Sequence, residues 1–178
     1  MDTGITHQRE EPGAPDPVYC LRGHSDGVNA LSFISTSVLA SGAGDGTVFV
    51  WDLLTRRPAV HFTPHGGKSI LSLSPLPARE RLLSCGRDGA IKVWDINALS
   101  TLTGSGASVW DKGPDAILDT HFSQFCNAST DSMGLDRDCI LAPTAASDGA
   151  AAVLWDLRTP APASGTAPSP CLTVAAGP

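Results

Sequence analysis

No stretch of this sequence approaches the ~18 consecutive apolar residues that argue for a membrane-spanning helix. Its first seventeen residues, MDTGITHQREEPGAPDP, lack the basic start and apolar middle of a secretory signal. Secretion is therefore not expected, and a nuclear or cytoplasmic location is. Twelve Lys and Arg stand against eighteen Asp and Glu, a formal net charge of −6. A general electrostatic grip on nucleic acid is not expected from that balance. Arg56-Arg57 is the only arginine pair.

Cysteine is sparse and scattered: Cys20, Cys85, Cys126, Cys139 and Cys171 form no C-x-x-C pair. Their odd number and irregular spacing favour reduced thiols over a disulfide framework or a zinc site. Motifs of chemistry are missing too. There is no phosphate-binding P-loop and no H-E-x-x-H. No cofactor, metal or small-molecule substrate is expected.

Turn formers are abundant, with fourteen Pro and eighteen Gly against a single Tyr. With 42% hydrophobic and 17% charged residues the chain has a globular profile rich in turns and poor in long helices. Two segments repeat one another. GHSDGVNALSF…VLASGAGDGTVFVWDL runs from Gly23 to Leu53, and PHGGKSILSLS…RLLSCGRDGAIKVWDI from Pro64 to Ile96. Ser41, Asp45 and Trp51 fall at the same offsets as Ser84, Asp88 and Trp94, and the two Trp-Asp pairs lie 43 residues apart. VNALSF and VLAS have strand composition. Asp45-Gly46 and Asp88-Gly89 supply tight turns, because Asp bonds its own backbone and Gly accepts positive φ. Alternation along TVFVWD and AIKVWD points Val48, Val50, Ile91 and Val93 toward neighbouring units.

This pattern resembles the WD-repeat family, whose units are four-stranded propeller blades of about 40–45 residues. The resemblance implies an all-β fold of about three blades, at 18–62, 63–110 and 111–158. They are flanked by a tail at 1–17 and a low-complexity tail at 159–178. It also implies two hydrogen-bonded networks, His24–Ser41–Asp45–Trp51 and His65–Ser84–Asp88–Trp94. A His, a Ser and an Asp together also suggest a catalytic triad. Their recurrence in two units, each closed by a Trp whose N–H needs a partner, favours a structural role.

The third unit is irregular. Residues 117–122 (ILDTHF) resemble its opening strand, and Cys139 to Arg158 repeats the strand, turn and Trp-Asp close. Thr144, Asp148 and Trp155 take the Ser, Asp and Trp places. Asp148 to Trp155 is one residue longer than its counterparts, which predicts a bulge or register shift. His121 lies inside the strand, and the expected His position holds Gly113, so this unit is expected to lack its His. Residues 124–138 are expected as an exposed loop, and Trp110 as a core residue. Val18–Leu21 (VYCL) reads as a short strand, and CLTV in the tail is a possible outer strand. Propellers carry four to eight blades, so three predict a piece or short form of a longer, seven-bladed ring with exposed edges.

A finer resemblance rests on LLTRRPAVHFTPHGGKSILSLSPLPARERLLSCGRDGAIKVWDI and on LDTHFSQFC. These are similar to the family of G-protein β-subunit-like protein 1, called ASTRA-associated protein 1 in fungi, across about residues 18–158. The resemblance implies a non-catalytic subunit of the ASTRA chromatin-associated assembly. It also implies a place in the co-chaperone pathway that matures phosphatidylinositol-kinase-related kinases. Other proteins in a multi-subunit complex are the expected partners, without direct nucleic-acid or membrane binding. Arg87 beside the second turn, Arg56 and Arg57 after the first Trp-Asp, and Arg158 are candidate contacts, although a solvated loop residue is the plainer reading of each. Two alternatives remain. Trp155-Asp156-Leu157-Arg158 fits the W-D-x-R pattern of cullin-type ubiquitin-ligase substrate receptors. G-protein β-type signalling would need an N-terminal coiled-coil helix, which Pro12, Pro15 and Pro17 disfavour.

Overall fold

The computed structural model describes residues 16–76, 81–96, 113–120, 128–130, 139–146, 149–157 and 172–175. The described residues form twelve strands and no helix. They make three antiparallel sheets of four strands, each sheet ordered as the chain runs. The first holds β1 (Val28–Phe33), β2 (Val38–Ala43), β3 (Val48–Asp52) and β4 (Arg57–Phe62). The second holds β5 (Ile70–Leu76), β6 (Arg81–Gly86), β7 (Ala90–Asp95) and β8 (Ala116–Asp119). The third holds β9 (Ser129–Thr130), β10 (Cys139–Ala146), β11 (Gly149–Asp156) and β12 (Leu172–Ala175). This is the architecture of consecutive propeller blades.

Turn chemistry sets the register. Ala43 N–H donates to Thr47 C=O at 2.9 Å and Gly46 N–H to Ala43 C=O at 3.2 Å, closing the β2–β3 turn. Gly46 has φ 83° and its counterpart Gly89 has φ 81°, a region where a Cβ is costly. A Cβ on Gly46 would also stand 2.7 Å from Lys68 C=O at the start of the next sheet. The turn thus sets both the hairpin and the approach of its neighbour.

Alternation along each strand sends opposite faces into two cores. Ala40, Val48, Val50 and Phe62 of the first sheet meet Ile70, Leu73, Leu82 and Trp94 of the second. Leu83, Ile91, Val93 and Leu118 of the second meet Ile140, Ala142, Val153 and Trp155 of the third. Val48, Val50, Ile91 and Val93 therefore do face neighbouring units.

Several boundaries differ from the sequence expectation. Residues 116–119 are not the opening of the third unit but the fourth strand of the second, paired with β7 from Ala90↔Asp119 to Val93↔Ala116. Without them the β7 edge would stay open, and Leu118 would not reach the core. The second unit therefore runs past residue 110. The third opens instead at Ser129–Thr130, inside the segment expected as a loop, where Thr130 pairs with Ile140. CLTV provides β12, pairing with β11 from Leu154↔Leu172 to Ala151↔Ala175, so the tail beyond 158 is not wholly outside the sheets. Val18–Leu21 is not a strand: it pairs with nothing among the described residues, and Val18 and Tyr19 are exposed. A lone extended segment has no ladder to hold it.

The extra residue in the third hairpin produces no bulge. Pairing runs unbroken from Cys139↔Asp156 to Ala146↔Gly149, so the residue is absorbed by a longer hairpin. Irregularities fall elsewhere, between Val28 and Ala30, between Ile70 and Ser72, and beside Trp51.

Candidate functional site

In the second sheet the four expected residues come together. Trp94 lies on β7, across from Leu82, and its indole N–H donates to Ser84 Oγ at 2.9 Å. The same oxygen lies 2.8 Å from His65 Nε2. His65 Nδ1 in turn lies 2.8 Å from Asp88 Oδ1 and 2.9 Å from its Oδ2. Trp94, Ser84 and His65 are buried. Burial pushes the His65 pKa below its ordinary value, although the Asp88 hydrogen bond pulls upward. The ring is therefore neutral, and its link to Asp88 is a hydrogen bond from Nδ1–H rather than an ion pair. Lys92 closes the outside of the set, donating to Pro64 C=O at 2.7 Å with its Nζ 3.9 Å from Asp88 Oδ2.

The first sheet builds a different version. Trp51 donates to Ser41 Oγ at 2.7 Å, and His24 Nε2 lies 2.6 Å from the same atom. His24 does not bond Asp45. Its Nδ1 meets Thr47 Oγ1 at 3.3 Å, and Thr47 donates to Asp45 Oδ1 at 2.6 Å. Thr47 is a relay that the repeat alignment missed; its counterpart is Ala90, which has no hydroxyl. The signal was there to be found, since Thr47 is the only polar side chain between the turn and the Trp. Asp45 also accepts from Ser25 Oγ at 2.5 Å, and these donors hold its pKa down to about 2. Partial burial lowers the His24 pKa as well. Phe49 stacks on Trp51 and on His61, each at 5.1 Å, and meets His24 edge-on at 4.6 Å.

In the third sheet the register of the described residues places no hydroxyl where Ser41 and Ser84 stand. Trp155 pairs with Ile140, as Trp51 pairs with Leu39 and Trp94 with Leu82. Ser41 and Ser84 stand two residues beyond those partners, and the residue two beyond Ile140 is Ala142. Thr144 stands four beyond, opposite Ala151, so it does not occupy the Ser position. Counting back from Asp148 misplaced it, because the hairpin is longer. Ala142 instead lines a small cavity with Cys85, Thr120 and Ala128. Asp148, His121, Trp110 and Arg158 lie outside the described residues.

The candidate partner-binding arginines sit at two ends of the sheets. Arg87 is exposed beside the second turn, its N–H donating to Ser69 C=O at 2.9 Å. Arg56 and Arg57 are exposed in and after the β3–β4 turn. Asp52 ties that turn by accepting from Leu54 N–H and Thr55 Oγ1, both at 2.9 Å. Arg56 takes φ 58° there and its guanidinium lies 5.0 Å from the centre of the Tyr19 ring. Sequence reasoning also missed Asn29, which bridges two sheets by donating to Ser69 Oγ at 2.9 Å. Among the described residues no cluster of three or more His, Cys, Asp or Glu could hold a metal ion, and no helix is long and apolar enough to cross a membrane.

Four-stranded sheets in series, Asp-Gly turns and Trp–Ser–His hydrogen bonds define the chain as a WD-repeat protein of β-propeller type. The family model described as WD domain, G-beta repeat, matches residues 15–52 and 56–95. More particularly, the chain is similar to guanine nucleotide-binding protein subunit beta-like protein 1 of Mus musculus. They are 32% identical over 136 residues, covering 73% of this chain and 35% of that protein. It is also 41% identical to ASTRA-associated protein 1 of Yarrowia lipolytica over 106 residues, 60% of this chain and 23% of that protein. The chain thus spans about a quarter to a third of the curated relatives it matches. In fold it matches the WD40 domain of Toxoplasma gondii coronin with a TM-score of 0.66 and 17% identity, over 89% of this chain and 36% of that one.

Proposed function

We propose that the chain is a non-catalytic scaffold that holds other proteins together, as a subunit of an ASTRA-type chromatin-associated assembly. On this reading it serves the co-chaperone pathway that matures phosphatidylinositol-kinase-related kinases, in the nucleus or cytoplasm. One observation carries the non-catalytic part. Ser84, the would-be nucleophile, is 0% exposed and its Oγ is held by both Trp94 and His65. A nucleophile needs a free approach for substrate, and this hydroxyl has none. The similarity to ASTRA-associated protein 1 supports the choice of assembly.

Binding then falls to the exposed strand ends, where Arg56, Arg57 and Arg87 offer planar charge for carboxylate partners. Affinity purification of the tagged chain from cells, with quantitative mass spectrometry, tests this. Recovery of kinase-maturation co-chaperones that drops in an Arg56→Glu/Arg57→Glu/Arg87→Glu variant of unchanged circular dichroism is the expected result. Recovery of none of them from the parent chain would overturn the assembly. Equal recovery from parent and variant would overturn the arginine contacts.

A further inference from the structure

The turn between β3 and β4 holds a strained arginine where a hairpin ordinarily places glycine or asparagine. Arg56 has φ 58°, the one positive φ at a residue other than glycine among the described residues. Asp52 ties the turn without help from that side chain, accepting from Leu54 N–H and Thr55 Oγ1, both at 2.9 Å. Strain kept where a smaller residue would relieve it points to a use for the side chain.

The surroundings of Arg56 agree. Its guanidinium lies 5.0 Å from the centre of the Tyr19 ring, a cation–π contact that orients the group without neutralising it. Tyr19 is itself 54% exposed. Arg57 pairs across the ladder with Asp52, but the turn already engages that carboxylate. Neither arginine makes an ion pair among the described residues, and both are exposed. Leu54 is 83% exposed on the same turn. Two unneutralised guanidinium groups thus flank an apolar side chain that nothing in the sheet covers.

Given the scaffold reading above, on which this rests, we propose that the β3–β4 turn with Tyr19 docks an acidic segment of a partner protein. That segment carries an apolar residue among its carboxylates. Arg56 and Arg57 each take a carboxylate in a forked pair of N–H bonds, and Leu54 covers the apolar residue. Tyr19 is a positioning residue that holds Arg56 ready for its carboxylate. A polyanion is the poorer fit. Nucleic acid and anionic bilayers bind through many cations acting together, and two arginines on a chain of net charge −6 supply too few. A short segment needs only local complementarity.

Fluorescence anisotropy on the whole chain tests this, with a fluorescein-labelled peptide that has glutamates on both sides of a leucine. The expected result is saturable binding that weakens as salt rises. Arg56→Gly weakens it roughly tenfold or more, the effect of losing a charge-assisted hydrogen bond. The urea midpoint of that variant holds or rises, because glycine accepts the positive φ. Tyr19→Phe keeps the ring and binds like the parent, whereas Tyr19→Leu binds more weakly. Leu54→Ser weakens binding of this peptide but not of one with serine in place of its leucine. Lys68→Ala removes an exposed cation beside the β2–β3 turn, at the opposite end of β3, and changes nothing. No binding by the parent, full binding by Arg56→Gly, a lowered urea midpoint in that variant, or an equal loss in Lys68→Ala would each overturn the site. Full binding by Tyr19→Leu would overturn the positioning role, and an equal loss with both peptides in Leu54→Ser would overturn the apolar contact. Binding to phosphatidylserine vesicles in place of the peptide would make the turn a membrane contact instead. Co-chaperones recovered from cells by a chain that ignores the peptide would leave the scaffold standing without this site. Peptide binding without that recovery would keep the site and remove the assembly.

Discussion

The His65 ring fills the space that a side chain on Gly86 would need. A Cβ built on Gly86 would overlap both Cγ and Nδ1 of the imidazole. Gly86 pairs with Ile70 in the second sheet as Ala43 pairs with Val28 in the first. The first sheet therefore has a methyl where the second has a ring. This accounts for the two network designs: His65 reaches Asp88 directly, whereas His24 stops at Thr47.

Gly86→Ala should accordingly displace His65 from Asp88 and Ser84. Overpacking a tight site costs about 1–3 kcal/mol, and lost hydrogen bonds add to it. Gly86 does not have a positive φ, so backbone strain contributes nothing to the expected loss. Urea unfolding of the variant should show a lower midpoint with an unchanged slope. An unchanged midpoint would refute the packing argument.

Ser84→Ala removes a hydroxyl that accepts from the buried Trp94 indole N–H and donates to the unprotonated Nε2 of His65. Leaving a buried donor and a buried acceptor unsatisfied costs about 1–3 kcal/mol. Ser41→Ala should cost less, since His24 is only partly buried and water can replace the hydroxyl. The ordering of the two losses in parallel denaturation curves is the check, and a larger loss at Ser41 would contradict it.

The first two sheets were legible in the sequence because Ser, Asp-Gly and Trp-Asp recur there at fixed offsets, and offsets are what strand register and turn length obey. Thr47 stood out as the only polar side chain between the turn and the Trp, but its relay role was not legible, because a relay depends on how far the His24 ring stands from Asp45, a distance that Ala43 sets. The third sheet misled for a related reason. Alignment anchored on Asp148 assumed a constant hairpin length, while the chain lengthened the hairpin and moved the Ser position to Ala142. Strand β8 was assigned to the wrong unit because Ile117, Leu118 and the residues after them look alike whichever neighbouring edge they join.

Leu118→Ala tests that reassignment. Leu118 is fully buried between the second and third sheets and pairs with Ile91. Truncating a buried Leu costs about 2–5 kcal/mol. Ile117, on the opposite face of the same strand, is exposed, so Ile117→Ala should cost under about 1 kcal/mol. Equal losses at the two positions would mean that β8 does not pair with β7 in this register.

Acidification should weaken the fold before any carboxylate is protonated. The folded-state pKa of His65 is lowered, chiefly by burial, and that of His24 is lowered by the same cause. An unfolded chain takes up these protons near pH 6.5, where the folded chain still refuses them. Stability is therefore fully present above about pH 6.5 and is lost as pH falls through the folded-state values. Asp45, held down to about 2, adds a second loss in the same direction below its ordinary value of 3.8. Denaturant midpoints measured from pH 8 down to pH 5 should be flat at first and then fall. A His65→Gln variant should be less stable at pH 8 but show a shallower decline, because one of the two linked protons is gone. A parent chain that gains stability between pH 7 and pH 5 would require a charged His65 paired with Asp88, and would reverse the protonation state assigned to the network.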